Sequence, residues 1–163
     1  DPASLGVIRY SYNTSDNNKK VAEAVAQMWE RNLGVEVELY NMEWKIYLDE
    51  LKAGRLMVGR YGWIADYVDP MTFLDLFESK NVNNASGWND PVYDGLIQAA
   101  RLEPDAAARY ALLAQAEARW VAAMPIIPVY FYSQKMLIQG RLEGIEPQLL
   151  GDHLFRYMRL KPQ

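Results

Sequence analysis

Cysteine is absent from the 163 residues and histidine occurs once, at His153. The first absence excludes a disulfide framework, a thiolate metal site and a cysteine nucleophile; it is compatible with an oxidising compartment without requiring one. The second leaves little for histidine catalysis, because no Ser or Cys motif accompanies His153, which reads as a loop residue beside Asp152. No His-x-x-x-His, Walker-type glycine loop or Gly-x-Gly-x-x-Gly is present, so neither a metal nor a cofactor is expected. Long basic runs are missing too. With a formal charge of −4, this argues against a nucleic-acid surface, since phosphate binding needs clustered Lys and Arg. No stretch approaches the roughly 18 consecutive apolar residues that span a bilayer. Asp1 to Gly6 hold neither a starting methionine nor a positively charged apolar leader, as expected of a mature or excised segment.

Half the residues are hydrophobic, enough for one ordinary core around at least one packed sheet. From Val7 to Asn13, Ile8, Tyr10 and Tyr12 alternate with Arg9 and Ser11, the pattern of a half-buried strand. Thr14-Ser15-Asp16 then offers N-cap chemistry to a helix carrying Val21, Val25, Met28 and Trp29, which Gly34 stops. Val35, Val37 and Leu39 form a second strand, completing a β-α-β unit that is parallel and right-handed by rule. The pattern repeats with Trp44, Tyr47, Leu48 and Leu51 on one helical face, Gly54 as a stop, and a third strand over Leu56 to Tyr61. Further on, Met71 to Glu78, Pro91 to Leu102 and Pro104 to Met124 read as helices, the last with Leu113, Ala116 and Trp120 as its buried stripe. Ile126 to Tyr132 reads as a strand that Lys135 to Gln139 continues or follows, and Phe155 to Leu160 as a last extended segment. The fold class is α/β: a mixed sheet built on two β-α-β units with flanking helices.

Between the third strand and the helix at Met71 lies Tyr61-Gly62-Trp63-Ile64-Ala65-Asp66-Tyr67-Val68-Asp69-Pro70. Pro70 suits a helix start and Asp69 its cap, but Asp66 lies too far upstream to cap anything. Aromatic side chains give flat, rigid contact area, and a carboxylate among them can hold a cation. The loop leaves the carboxyl end of a strand, where open α/β sheets bind ligands. Arg60, directly before it, either reaches solvent or offers a fixed cation to a carboxylate. Trp44, Trp63, Tyr67, Trp88 and Tyr132 cluster near strand ends and favour a pocket. One acid and one base in an aromatic cleft suit a zwitterionic ligand.

Tyr12-Asn13-Thr14-Ser15-Asp16, Gly34-Val35-Glu36-Val37, Glu43-Trp44-Lys45, Gly62-Trp63-Ile64-Ala65-Asp66-Tyr67 and Pro128-Val129-Tyr130-Phe131-Tyr132 occur in this order. Together they resemble the C-terminal part of the periplasmic oligopeptide-binding proteins of ABC importers, over nearly the whole chain. The resemblance implies one lobe of a two-lobed periplasmic-binding-protein fold that closes on an extended peptide by hinge motion. Residues 1–132 would form most of the C-terminal ligand-binding lobe, and 133–163 a segment returning to the other lobe; a missing N-terminal part of the same protein would supply the opposing wall. By resemblance Asp66 pairs with a peptide ammonium, and the main chain at Gly62, Trp63 and Ile64 runs beside the peptide like an added strand. Tyr132 would contact peptide backbone, and Trp44 and Leu48 would line a side-chain pocket. Arg60 would receive the peptide carboxylate. Asn18 stands where the family has a histidine that shares that task, which puts carboxylate capture there in doubt for longer peptides.

The implied role is the solute-binding component of a peptide importer, without catalysis, periplasmic or, in a Gram-positive host, extracellular and membrane-anchored. Its partners would be a short peptide and an ABC permease in the inner membrane, with no nucleic acid; the isolated segment is expected to self-associate through exposed apolar surface. Two alternatives stay open: the same scaffold holding a dipeptide, metal chelate or sugar, and a carboxylate-dependent hydrolase using Asp66 and Asp69.

Overall fold

A computed structural model describes residues 5–133, 135–145, 148, 150–151 and 155–162. His153, Asp152 and the opening Asp1 to Ser4 lie outside the described residues. The chain divides into two compact units, Asp1–Trp63 with Val82–Gly87, and Ile64–Asn81 with Trp88–Gln163.

The first unit runs β1 (Val7–Asn13), α1 (Asp16–Leu33), β2 (Glu36–Met42), α2 (Trp44–Lys52) and β3 (Val58–Gly59). Its sheet has the order β2-β1-β3 with both pairings parallel. Ser15 precedes α1 with extended backbone, but its side chain makes no capping bond; Asp16 in the first turn complements the helix dipole instead. At the other end Gly34 takes the left-handed conformation, φ 67°, and its N–H closes on the Glu30 carbonyl at 3.1 Å. Only glycine enters that region without steric cost. The Glu43 carboxylate starts α2 by accepting the Lys45 and Ile46 N–H groups, at 2.8 and 3.4 Å. Tyr10, Tyr12 and Ala22 are buried together, with Val25, Val37, Leu39 and Val58 packed against them.

Two readings of this sheet need correction. Ser11 was expected on a solvated face, yet it is buried along with Tyr10 and Tyr12. A central parallel strand is covered on both faces, and a small hydroxyl passes where a larger polar group would not. The third strand is shorter than Leu56 to Tyr61, only Val58–Gly59, which pair with Tyr10 and Ser11 of β1. Its pairing is nonetheless continued by the Arg60 N–H, which donates to the Ser11 carbonyl at 2.9 Å.

The second unit contains α3 (Met71–Leu74) running into a 3-10 turn at Asp75–Phe77, then α4 (Pro91–Leu102), α5 (Ala106–Ala123) and a two-stranded antiparallel ribbon of β4 (Leu142–Glu143) and β5 (Arg159–Leu160). Pro91 opens α4, where its missing N–H costs nothing, and the Asp90 carboxylate accepts the Val92 and Tyr93 N–H groups. Asp105 caps α5 through the Ala108 N–H at 2.8 Å, so that helix starts two residues after Pro104. Tyr93, Ile97 and Ala100 of α4 and Leu113 and Ala116 of α5 are buried, and Phe77 lies against Trp120 with ring centroids 5.2 Å apart.

Ile126 to Tyr132, read as a strand, is not one here, and neither is Lys135 to Gln139. β-branched and aromatic residues fit a pleated surface, but a strand exists only where a neighbour pairs its N–H and C=O groups, and the described residues offer none. Ile127, Val129 and Phe131 are exposed as a result, Phe131 completely. Phe155 to Leu160 likewise begins as a 3-10 turn at Phe155–Tyr157 and is extended only at Arg159–Leu160.

Ile97 is fully buried in α4, so Ile97→Ala leaves a cavity as well as losing transfer free energy. It should lower unfolding free energy by about 2–5 kcal/mol in urea titration; a change within a few tenths would show that this helix face is not core.

Candidate functional site

In the first unit the site residues follow from the direction of the strands. The first crossover adds β2 on one side of β1, and the second returns the chain to add β3 on the other. The carboxyl ends of β1 and β3 therefore flank a topological switch point, the crevice where open α/β sheets take ligands. Asn13 closes β1 there and Arg60 follows β3 directly.

Asn13 links two of the residues singled out above. Asn18, buried in the first turn of α1, donates from its side-chain amide to both the Asn13 carbonyl and the Asn13 Oδ1, each at 3.1 Å. The half-buried Arg60 guanidinium approaches the same Oδ1 at 3.5 Å, a long contact. Asn18 and Arg60 thus share one acceptor, and Arg60 is held at the sheet end and not simply released to solvent. Beside them, the Thr14 hydroxyl and N–H both engage the Met42 carbonyl, tying the end of β1 to the end of β2.

Helix α2 is fixed to this edge by Tyr47. Its ring is buried and its hydroxyl donates a short hydrogen bond to the Arg60 carbonyl. Burial pushes the Tyr47 phenol well above its ordinary pKa, so it stays a donor. A Cβ on Gly59 would lie 3.1 Å from that hydroxyl and 3.0 Å from a Leu56 methyl, so a larger residue would crowd the Tyr47 bond. Trp44, one turn earlier, stacks on Tyr47 at 6.3 Å and is half exposed; Leu48, at i+4 from Trp44, is half-buried. Both pocket candidates are therefore carried by a helix anchored to Arg60, the residue that follows β3.

Past Arg60 the chain is neither helix nor sheet. Among the described residues, no hydrogen bond uses the main-chain N–H or C=O groups of Gly62, Trp63 or Ile64. The Trp63 indole N–H is also buried without a partner among them. Unpaired main chain continuing an edge strand is a template for an added strand.

The second unit carries Ile64, Asp66 and Tyr132. Ile64 is exposed, and the Tyr132 ring meets Tyr130 edge-on at 5.2 Å. Asp66 is exposed and forms no ion pair with a described residue, whereas every other carboxylate near it is matched. Asp69 does bond the Met71 N–H, at 2.9 Å, as a helix start requires. It is also gripped by both arms of the Arg109 guanidinium, at 2.7 and 2.8 Å. Arg101 forks onto Glu78 and lies 3.7 Å from Asp75. Burial raises the Asp75 carboxyl pKa against the pull of Arg101, and burial followed by the charges of Asp75, Asp69 and Asp66 raises that of the Tyr67 phenol. Among the described residues no group of three or more His, Cys, Asp or Glu side chains could hold a metal ion, and no helix is long and apolar enough to cross a membrane.

Sequence reasoning singled out Asp66, Arg60 and Asn18 and gave no role to Asn13, Tyr47, Thr72 and Arg109, which the structure places in contact with them or beside them. Asn13 and Tyr47 stood in recognised patterns without a role; nothing local could reveal Arg109, whose partner lies 40 positions away.

A parallel sheet whose switch point ends in polar side chains is the arrangement at which open α/β folds take ligands. The family profile of the bacterial extracellular solute-binding proteins, family 5 Middle, matches residues 3–85, and the chain belongs to that family. It is 41% identical over 155 residues to the oligopeptide-binding protein OppA of Bacillus subtilis, covering 94% of this chain and 28% of that one. The structure of the Escherichia coli murein tripeptide binding protein MppA superposes with a TM-score of 0.86 at 38% identity, over 97% of this chain and 31% of that one. Haemophilus influenzae OppA in complex with the peptide RPPGFSPFR gives 0.86 at 33%, over 99% and 32%. The chain thus spans about a third or less of the length of these relatives.

The guanidinium of Arg109 holds the Asp69 carboxyl below the ordinary carboxylate range, and that of Arg119 does the same to Asp90. A depressed carboxylate contributes stability above its unfolded pKa and loses it as pH falls through the folded one. Unfolding free energy should therefore decline below the ordinary carboxylate range, and Asp69→Asn should flatten that decline while lowering stability at neutral pH. A pH series of urea melts checks this; an unchanged slope in the variant would sink the assignment.

Proposed function

We propose that the protein containing this chain is the solute-binding component of an ABC peptide importer, holding short peptides by their termini and main chain. The observation that carries the reading is the exposed, ion-pair-free carboxylate of Asp66 four residues past the unpaired main chain of Gly62. Free main chain offers strand addition, which ignores side-chain identity, and an exposed carboxylate with no ion-pair partner anchors an ammonium. In the first unit, Arg60 on its Asn13 support is the cation for a peptide carboxylate, and Trp44 and Leu48 face a side-chain pocket. Asn18 is already occupied with Asn13, so it orients the site and does not replace a charged group. Tyr132 is assigned to peptide backbone. The relatives described above are binding proteins, which supports a role without catalysis. A periplasmic or extracellular location, partnership with an inner-membrane permease, and the return of residues 133–163 to a second lobe belong to the same reading.

Asp66→Asn in the full-length protein should weaken binding of a short free-amine peptide by about 1.5–3 kcal/mol, the scale of a charged hydrogen bond. Calorimetry on a folded variant measures it; unchanged affinity would remove Asp66 from the site.

The isolated chain exposes Ile127, Val129, Tyr130, Phe131 and Tyr132 in one run. Such apolar patches drive association. Sedimentation velocity should show species above the monomer that grow with concentration, and a clean monomer at high concentration would contradict the expectation.

A further inference from the structure

Asp66 sits in a segment without regular structure, so something other than a helix or a ladder has to hold it where a ligand could use it. Two contacts do so. On its own N–H side, Asp66 donates to the Thr72 hydroxyl at 3.1 Å, and Thr72 is only 3% exposed, so the acceptor is set in the core of α3. Three residues on, the Arg109 fork on α5 holds Asp69, whose Oδ1 also takes the Met71 N–H and whose own N–H bonds the Tyr67 carbonyl at 3.0 Å. The turn from Asp66 to Pro70 is therefore clamped at both ends. The pair is partly buried, with the Arg109 and Asp69 side chains 24% and 22% exposed, and a bidentate fork fixes orientation as well as distance.

We propose that Thr72 and Arg109 are positioning residues for Asp66: the Thr72 hydroxyl and the Arg109–Asp69 fork lock the turn that presents the Asp66 carboxylate, and Arg109 does so by spending its charge on Asp69 and not on Asp66. This rests on the peptide-binding reading, in which Asp66 anchors an ammonium. The arrangement leaves the anchoring charge intact. Arg109 cancels Asp69, and Arg101 is engaged with Glu78 and Asp75, so an arriving cation meets one uncompensated carboxylate on the turn. A purely electrostatic role for Arg109 has the opposite sign. Removing it would then make the turn more negative and bind an ammonium more tightly.

The test compares trialanine with N-acetyl-trialanine on the full-length protein by calorimetry at low salt; the readout is the ratio of the two dissociation constants. Asp66→Asn is the reference: if it leaves the ratio unchanged, the peptide-ammonium reading fails, whatever the other variants do. Given a collapse in Asp66→Asn, Thr72→Val and Arg109→Lys should each cut the ratio about tenfold, the scale of one charged hydrogen bond, with the acetylated peptide unaffected. Neither substitution changes net charge, and Thr72→Val preserves volume, so both remain readable if Arg109→Met does not fold. Arg109→Met, where folded, should also weaken trialanine. The proposal is overturned if the ratio in Thr72→Val and Arg109→Lys stays at its parent value, if both peptides weaken equally, or if Arg109→Met binds trialanine more tightly.

Discussion

The constraint on which the first unit depends is the double pairing of β1. That strand is hydrogen-bonded to β2 along its whole length and to β3 at its middle, so both crossovers are measured from it. Because the second crossover passes back over β1, the switch point falls between β1 and β3 and not at the sheet's rim. Asn13 and Arg60 meet there because of strand order, not because of any local motif. Tyr47 completes the arrangement: one buried phenol ties α2 to the strand leading into the free main chain, and the glycine beneath it leaves the space for that bond. The second unit is organised differently. Its helices pack through Tyr93, Ile97, Leu113 and Ala116, and its loops are pinned from outside by arginines reaching back from α4 and α5 to Asp69, Glu78 and Asp90.

The sequence made much of this visible, and the limits were physical. Glycine stops, capping carboxylates and helical stripes are local, and α1, α2, α4 and α5 appear where those signals put them. The β-α-β order was legible because alternation, helix, alternation leaves few topologies. Strand extent was not. Whether Leu56 to Tyr61 or Ile126 to Tyr132 becomes a ladder depends on a partner elsewhere, and the same apolar composition gave two paired residues in one case and none in the other. The burial of Ser11 had a similar cause, since alternation describes one solvated face and a central parallel strand has none.

For the site, residue type carried the reading of Asp66 and Arg60, because a carboxylate with no cap to serve and a cation on an apolar strand both stand out from the residues around them. Their supports could not be read. Asn13, Thr72 and Arg109 are ordinary polar residues until the fold brings them to Asn18, Asp66 and Asp69. Asp69 shows the point most clearly: a helix start accounts for one of its oxygens, and a residue 40 positions away claims both.

On the proposed reading, the unpaired main chain of Gly62 to Ile64 has a consequence for how such a protein can change. Amide and carbonyl groups are the same for every residue, so a docking rail made from them is indifferent to most replacements of the side chains that decorate it. The exposed Ile64 side chain is free to drift while the rail persists. Ligand preference would then be rewritten at Trp44, Leu48 and the charged ends, leaving the grip itself beyond the reach of ordinary point substitution, except by proline, which lacks the N–H.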